Sequence, residues 1–215
     1  MSQMINSFER DNFYMLSWLD QFMTGYKGFI AGGSFKNIFN HEKVKDLDIF
    51  FESKVDFDSA VEHFDKMCGE NNTGGKYHFY YENKNVKAYK HVETGITLEL
   101  CCKVFGSARN IISQFDFTIT KFAYFKEQVK DAESDDNHIE YMIACDDKFF
   151  EHLHLKRLVT DDKILYPMST FERMIRYIKY GYMPCKETKL RIASAISELS
   201  KEQIDISNSL YEGVD

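Results

Sequence analysis

The chain has 215 residues, 44% of them hydrophobic and 15% aromatic, enough for one full domain or a domain with a smaller appendage. No uncharged apolar run approaches the roughly 20 residues of a membrane span, and the N-terminal stretch lacks the basic-then-apolar order of a signal peptide, so a cytoplasmic protein without a membrane partner is expected. The net charge of −7 argues against non-specific coating of nucleic acid, and five cysteines without a C-x-x-C pair favour reduced, mostly buried thiols over a zinc clamp or disulfide framework.

In chain order, apolar residues near helical spacing predict a first helix over 6–23, with Asn6 and Glu9 as its N-terminal cap. "KGFIAGG" is a short strand ended by a glycine turn, a short helix follows, and "KDLDIFFES" is the next strand. A helix is expected over 56–67, a turn-rich loop at "ENNTGG", and strands at "KYHFYYE", "VKAYKHV" and "GITLELCCKV". "SARNIISQ" reads as a short helix and "FDFTITKFAYF" as an alternating segment. The polar stretch 126–137 reads as a surface loop, and "HIEYMIACD" as the last strand. From about residue 146 the pattern is mostly helical, with helices near 168–181, 186–200 and 202–211. The expected architecture is α+β: a head over 1–145 with a mixed β-sheet flanked by helices, then a smaller helical region over 146–215.

The densest chemistry lies in "FIAGGSFKNIFNHEKVKDLDIFF", residues 29–51. On a strand Asp46 and Asp48 share one face, with Cα atoms about 7 Å apart, while Leu47, Ile49 and Phe51 face the core. Two carboxylates on one face repel unless a cation lies between them, and Mg²⁺ or Mn²⁺ held by carboxylate oxygens leaves room for substrate phosphates. Gly32 and Gly33 permit close backbone approach to an anion, Ser34 adds a hydroxyl donor, and Lys36 adds charge.

"GGSFKN", followed eight residues later by "DLD", resembles the head-domain signature of nucleotidyltransferases of the DNA polymerase β superfamily, particularly class II CCA-adding enzymes and bacterial poly(A) polymerases. "ITLELCCKV" is similar to the family's next active-site strand, with Glu99 at the acidic position, and "QFDFTITKFAYF" matches D-F-T-I at Asp116, Phe117, Thr118 and Ile119. The resemblance implies Asp46, Asp48 and Glu99 as catalytic and metal-binding residues, and a nucleotide site that includes Gly32, Gly33, Ser34, Lys36 and Asp116. It departs from the family at Lys36 and Asn37, where an arginine and an aspartate stand, and at Gln114 and Phe115, where two arginines stand. The E-D-x-x-R element that selects cytosine and adenine is not found, and the chain has little room for the family's tRNA-holding body and tail.

Residues 156–191 hold nine Lys or Arg against four Asp or Glu. In "PMSTFERMIRYIKYGYMP", a cap at Ser169 or Thr170 sets Arg173 and Arg176 one turn apart, able to reach one anion. This resembles the family's R-x-x-R neck helix and adds both arginines to the nucleotide-binding set; Tyr177, Tyr180 and Tyr182 stack on bases or pack a core. His152 and His154 lack the partners of a zinc site, and no P-loop signature occurs. The implied activity is Mg²⁺- or Mn²⁺-dependent transfer of an NMP from an NTP, ATP included, to an acceptor hydroxyl, with an RNA or tRNA 3′ end favoured. The alternatives are a toxin/antitoxin-type enzyme modifying a protein or tRNA, and a non-catalytic nucleotide- or RNA-binding relative of viral or mobile-element origin.

Overall fold

The structure, a computed structural model, describes residues 4–130 and 137–200. Eight strands form one mixed sheet: β1 (Ile5–Glu9), β2 (Phe29–Ala31), β3 (Asp46–Phe50), β4 (Tyr77–Glu82), β5 (Val86–His91), β6 (Thr97–Cys101), β7 (Phe122–Lys130) and β8 (Asn137–Asp146). Their order is β1-β8-β7-β2-β3-β6-β5-β4. Only the β3–β6 pair is parallel; all other neighbours run antiparallel. A parallel neighbour needs a crossover, which here contains α2 (Lys54–Met67) and the β4–β5 hairpin. That crossover brings "DLD" and "TLELC" side by side at the centre of the sheet.

The helices follow from local sequence. Ser53 caps α2, its hydroxyl accepting a hydrogen bond from the Asp56 amide at 3.2 Å, and Phe57, Ala60 and Phe64 form the buried stripe at helical spacing. Of the short helices, α1 (Ser34–Phe39) packs on β3 and α3 (Ala108–Ser113) on β7, β8 and β2. After β8 come α4 (Phe149–His154), α5 (Pro167–Lys179), α6 (Lys186–Ser197) and a parallel pair of two-residue strands, β9 (Arg157–Leu158) and β10 (Met183–Pro184). The core is one aromatic-rich cluster spanning the sheet and α4: Phe122 packs against Phe35 at 4.5 Å and Phe149 at 5.0 Å between ring centroids.

Several sequence expectations change. The first helix is shorter and of another type: residues 5–9 pair with β8 along the sheet edge, and Arg10–Phe22 forms a 3-10 helix broken at Phe13. Leu16, Leu19 and Phe22 are buried at intervals of three, which three residues per turn places on one edge. Residues 126–130, expected in a loop, continue β7, because each finds a partner on β8 from Tyr141 to Asn137. The alternating segment at 115–125 is interrupted by a 3-10 turn at Thr118–Thr120, all three residues buried. Helix α5 begins at Pro167 with Tyr166 as its N-cap, and Ser169 and Thr170 lie buried inside it. The helix expected over 202–211 lies outside the described residues. Among the described residues, no helix is long and apolar enough to cross a membrane, and all five cysteines are free, with Cys68, Cys101 and Cys145 buried.

Candidate active site

Register places Asp48 of β3 directly beside Glu99 of β6, and Asp46 beside Thr97. Both Asp48 and Glu99 line a cleft of about 630 Å³ between the sheet and α5, together with Gly32, Gly33, Asp116 and Arg173. Gly32 is required by two constraints. Its φ of +103° is left-handed, and a Cβ there would lie 3.1 Å from the Asp48 carboxylate. Asp48 is partly open to the cleft and otherwise enclosed; burial, then the charges of Glu99 and Asp46, push its carboxyl up to about 8. Burial also raises Glu99, opposed by a hydrogen bond that the Tyr81 hydroxyl donates to Glu99 Oε1 at 2.7 Å. Neither an ion-pair nor a hydrogen-bond partner for the Asp48 side chain occurs among the described residues.

The carboxylates fit a divalent cation by this imbalance: like charges crowd together and no cation among the described residues pairs with Asp48. Among the described residues, no three His, Cys, Asp or Glu side chains already converge as a closed metal cage. Mg²⁺ at phosphate-transfer sites is held by one or two carboxylates plus substrate oxygens and water, so Asp48 and Glu99 suffice, with Asp46 at the margin.

The other sequence-predicted residues divide. Asp116 pairs with Arg173 across the cleft at 2.8 Å, and Arg173 also donates to Ser169 Oγ at 3.1 Å. Asp46 is exposed and outside the cleft lining, although its charge reaches both Asp48 and Glu99. Ser34 is buried with its Oγ unpartnered, and it does not line the cleft. Lys36 is turned away: its ammonium bonds Asn37, faces Glu42 at 3.6 Å and lies over the rings of Tyr180 at 5.3 Å and Tyr182 at 6.0 Å. Burial lowers its pKa first, with Glu42 opposing. Arg176 is exposed beyond the lining, so the two arginines of α5 do not meet in the cleft. Of the histidines, His152 is buried with Nδ1 at 2.8 Å from Thr118 Oγ1, and His154 is exposed.

Two cleft residues, Lys103 and Lys163, and one residue behind the cleft, Tyr81, escaped the sequence reading. Lys103 lies two residues past the end of β6 and continues the parity of Glu99 and Cys101, and all three line the cleft, so extending the alternation beyond the strand was a usable signal. Lys163 brings a second cation. Tyr81 reaches Glu99 only because β5 bridges β4 and β6, an arrangement invisible in local sequence.

Residues 2–156 match the family described as "Gad2: Gabija anti-defense 2 family protein". The chain belongs to the Gabija anti-defense 2 family. A curated relative, "Gabija anti-defense 2" of Bacillus phage SPbetaL7, is 23% identical over 176 residues, which are 81% of this chain and 38% of the relative. The chain thus spans well under half the length of that family member. Among solved structures, a CCA-adding enzyme with CTP is similar at a TM-score of 0.56 and 14% identity, over 94% of this chain and 49% of that one. An apo CCA-adding enzyme is similar at 0.51 and 13% identity, over 89% and 46%. This member of the Gabija anti-defense 2 family has the nucleotidyltransferase-type head fold that the sequence resemblance implies.

Proposed function

We propose that this protein is an Mg²⁺- or Mn²⁺-dependent nucleotidyltransferase acting in the cytoplasm and that its activity serves an anti-defence role. The carrying observation is the Asp48–Glu99 pair, set side by side on adjacent parallel strands and facing a cleft walled by the Gly32–Gly33 turn and α5. In the reaction the acceptor oxygen forms a bond to the α-phosphorus of an NTP. The α–β phosphoanhydride bond breaks, pyrophosphate leaves, and the acceptor proton passes to a base, for which Glu99 is the candidate.

Asp48 and Glu99 would hold the metal, with Asp46 completing the cluster from the margin. Bound there, the metal supplies charge neutralisation at the transferred phosphoryl group and the leaving pyrophosphate. Tyr81 fixes the orientation of Glu99, and Lys103, Lys163 and Arg173 present positive charge to the triphosphate. Asp116, tied to Arg173, is placed to meet the nucleotide beside that charge. Ser34, Lys36 and Arg176 would join only if the ligand rearranges them. We assign the head to residues 1–145 and the helical region to 146–215; the second wall of the cleft comes from described residues of the latter, among them Lys163, Arg173 and Tyr177.

For the acceptor, the basic stretch 156–191 favours an RNA 3′ end, tRNA included. The family's name favours a second reading, a hydroxyl on a protein or tRNA component of a host defence. One experiment addresses both: α-³²P-labelled NTPs, Mg²⁺ or Mn²⁺, total RNA and defence proteins are incubated with wild type and with an Asp48→Asn, Glu99→Gln double variant. Label on RNA or protein with wild type alone supports transfer and identifies the acceptor class. Equal labelling by both proteins, or anti-defence activity undiminished in the double variant, overturns the enzymatic reading.

A further inference from the structure

We propose that Tyr177 is a triphosphate-binding residue, its hydroxyl donating a hydrogen bond to a phosphate oxygen of the NTP at the Gly32–Gly33 turn. This rests on the nucleotidyltransferase reading and extends it to a residue of α5 outside the motifs of the resemblance.

The ring of Tyr177 is held edge-on by three aromatic neighbours: Phe117 at 5.8 Å, Tyr182 at 6.0 Å and Tyr180 at 6.2 Å between centroids. Only 9% of the residue is exposed, yet it lines the cleft. Its Oη reaches across to the opposite wall, where a Cβ added to Gly33 would lie 3.1 Å away. Among the described residues this hydroxyl has no hydrogen-bond partner. An aromatic socket therefore fixes a donor that the protein leaves open, which is the arrangement of a group kept for a ligand.

The position identifies the ligand atom. The neighbouring Gly32 lies against the Asp48 carboxylate, so a triphosphate held by a cation at Asp48 would have the Gly32–Gly33 turn and Oη within its reach. Asp116, Arg173 and Asp48 all act electrostatically on the Tyr177 hydroxyl, placing it between the candidate metal site and the Asp116–Arg173 pair. Burial keeps the phenol protonated well above the physiological range, so it offers one neutral O–H donor. Lys36, the sequence's candidate for contacting the triphosphate, is engaged with Glu42 and the rings of Tyr180 and Tyr182. Tyr177 stands at the turn in its place.

The test measures equilibrium binding of non-hydrolysable analogues of the four NTPs, and of inorganic tripolyphosphate, in Mg²⁺ by calorimetry. In Tyr177→Phe the aromatic socket stays filled. Loss of one hydrogen bond to a charged acceptor is expected to weaken the NTP analogue and tripolyphosphate alike, by roughly ten- to a hundredfold, at an unchanged melting temperature. Gly33→Ala is the second variant: φ is −68° there, ordinary for alanine, and the new methyl intrudes on Oη without disturbing the socket. The same joint loss is expected. Wild-type affinity for both ligands in Tyr177→Phe overturns the proposal, as does a loss confined to the NTP with tripolyphosphate unaffected, which would assign the contact to sugar or base. If wild type binds no NTP analogue and no tripolyphosphate, the nucleotidyltransferase reading itself fails, and the Tyr177 assignment with it.

Discussion

Asp48 is a residue that the fold tolerates rather than uses. An aspartate carboxyl titrates near 4 in an unfolded chain and is pushed up to about 8 here, so folding favours its protonated form. The stability it contributes is fully present below pH about 4 and is lost as pH rises through about 8, because the folded protein then carries a buried, crowded charge. In EDTA, Asp48→Asn is expected to melt above wild type by roughly 3 °C or more at pH 8.5, with the gap closing toward pH 4. Parallel melting curves for the two proteins across that range would show that Asp48 is not strained. Tyr81 acts one step removed. Its hydroxyl holds Glu99 Oε1 at 2.7 Å, so Tyr81→Phe frees the carboxylate to rotate without removing it. Outer partners of metal-binding groups typically cost about 10–100-fold in activity or metal affinity when lost. We expect that loss in transfer rate, with the melting temperature unchanged; a Tyr81→Phe enzyme of full activity would assign Glu99 no need of orientation.

At the scale of elements, α2 carries the long crossover that makes β3 and β6 parallel neighbours, and its first turn depends on Ser53. Ser53→Ala is expected to cost about 1 kcal/mol in urea unfolding at unchanged m-value, and a loss below the measurement error would show the cap to be redundant. This helix was legible from its acidic start and the helical spacing of Phe57, Ala60 and Phe64, although its Ser53 cap and first two residues lie upstream of the start expected at residue 56. For the Asp48–Glu99 pair, strand parity gave only the shared face of Asp46 and Asp48; Glu99 was singled out by the family resemblance, and its place beside Asp48 depends on β3 and β6 being neighbours, which no local pattern shows. Residues 5–22 misled because a strand followed by a 3-10 segment preserves an approximately helical spacing of apolar residues, and the deciding partner, β8, lies more than a hundred positions away. Lys36 misled for another reason. A sequence shows a cation next to a glycine turn, but Glu42, Tyr180 and Tyr182 decide where its ammonium rests. Side-chain direction in a short helix is set by tertiary neighbours, and two of those three come from the far end of the chain.

The whole molecule joins its two regions through a shared interior. The change from strands to helices near residue 146 is a change of secondary structure, while the packing runs across it. Phe149 lies 5.0 Å from Phe122 and 5.9 Å from Phe39, and Phe150 stacks on Phe13 at 5.7 Å. Backbone bonds cross as well: the Thr118 amide donates to Val159 O at 3.0 Å. The cleft repeats the pattern, with Asp48 and Gly33 on one wall and Arg173 and Tyr177 on the other. A fragment ending at Asp146 would therefore expose fully buried rings such as Phe117 and Phe122 and leave the Thr118 amide unpaired. We expect this fragment to bind the dye ANS, to show strand and helix signal in far-UV circular dichroism, and to lack a cooperative melt, whereas the full chain melts in one transition. A fragment that melts cooperatively and excludes the dye would make residues 1–145 an autonomous domain. It would also make the helical region a separable module, with nucleotide affinity then divisible between two independently folding parts.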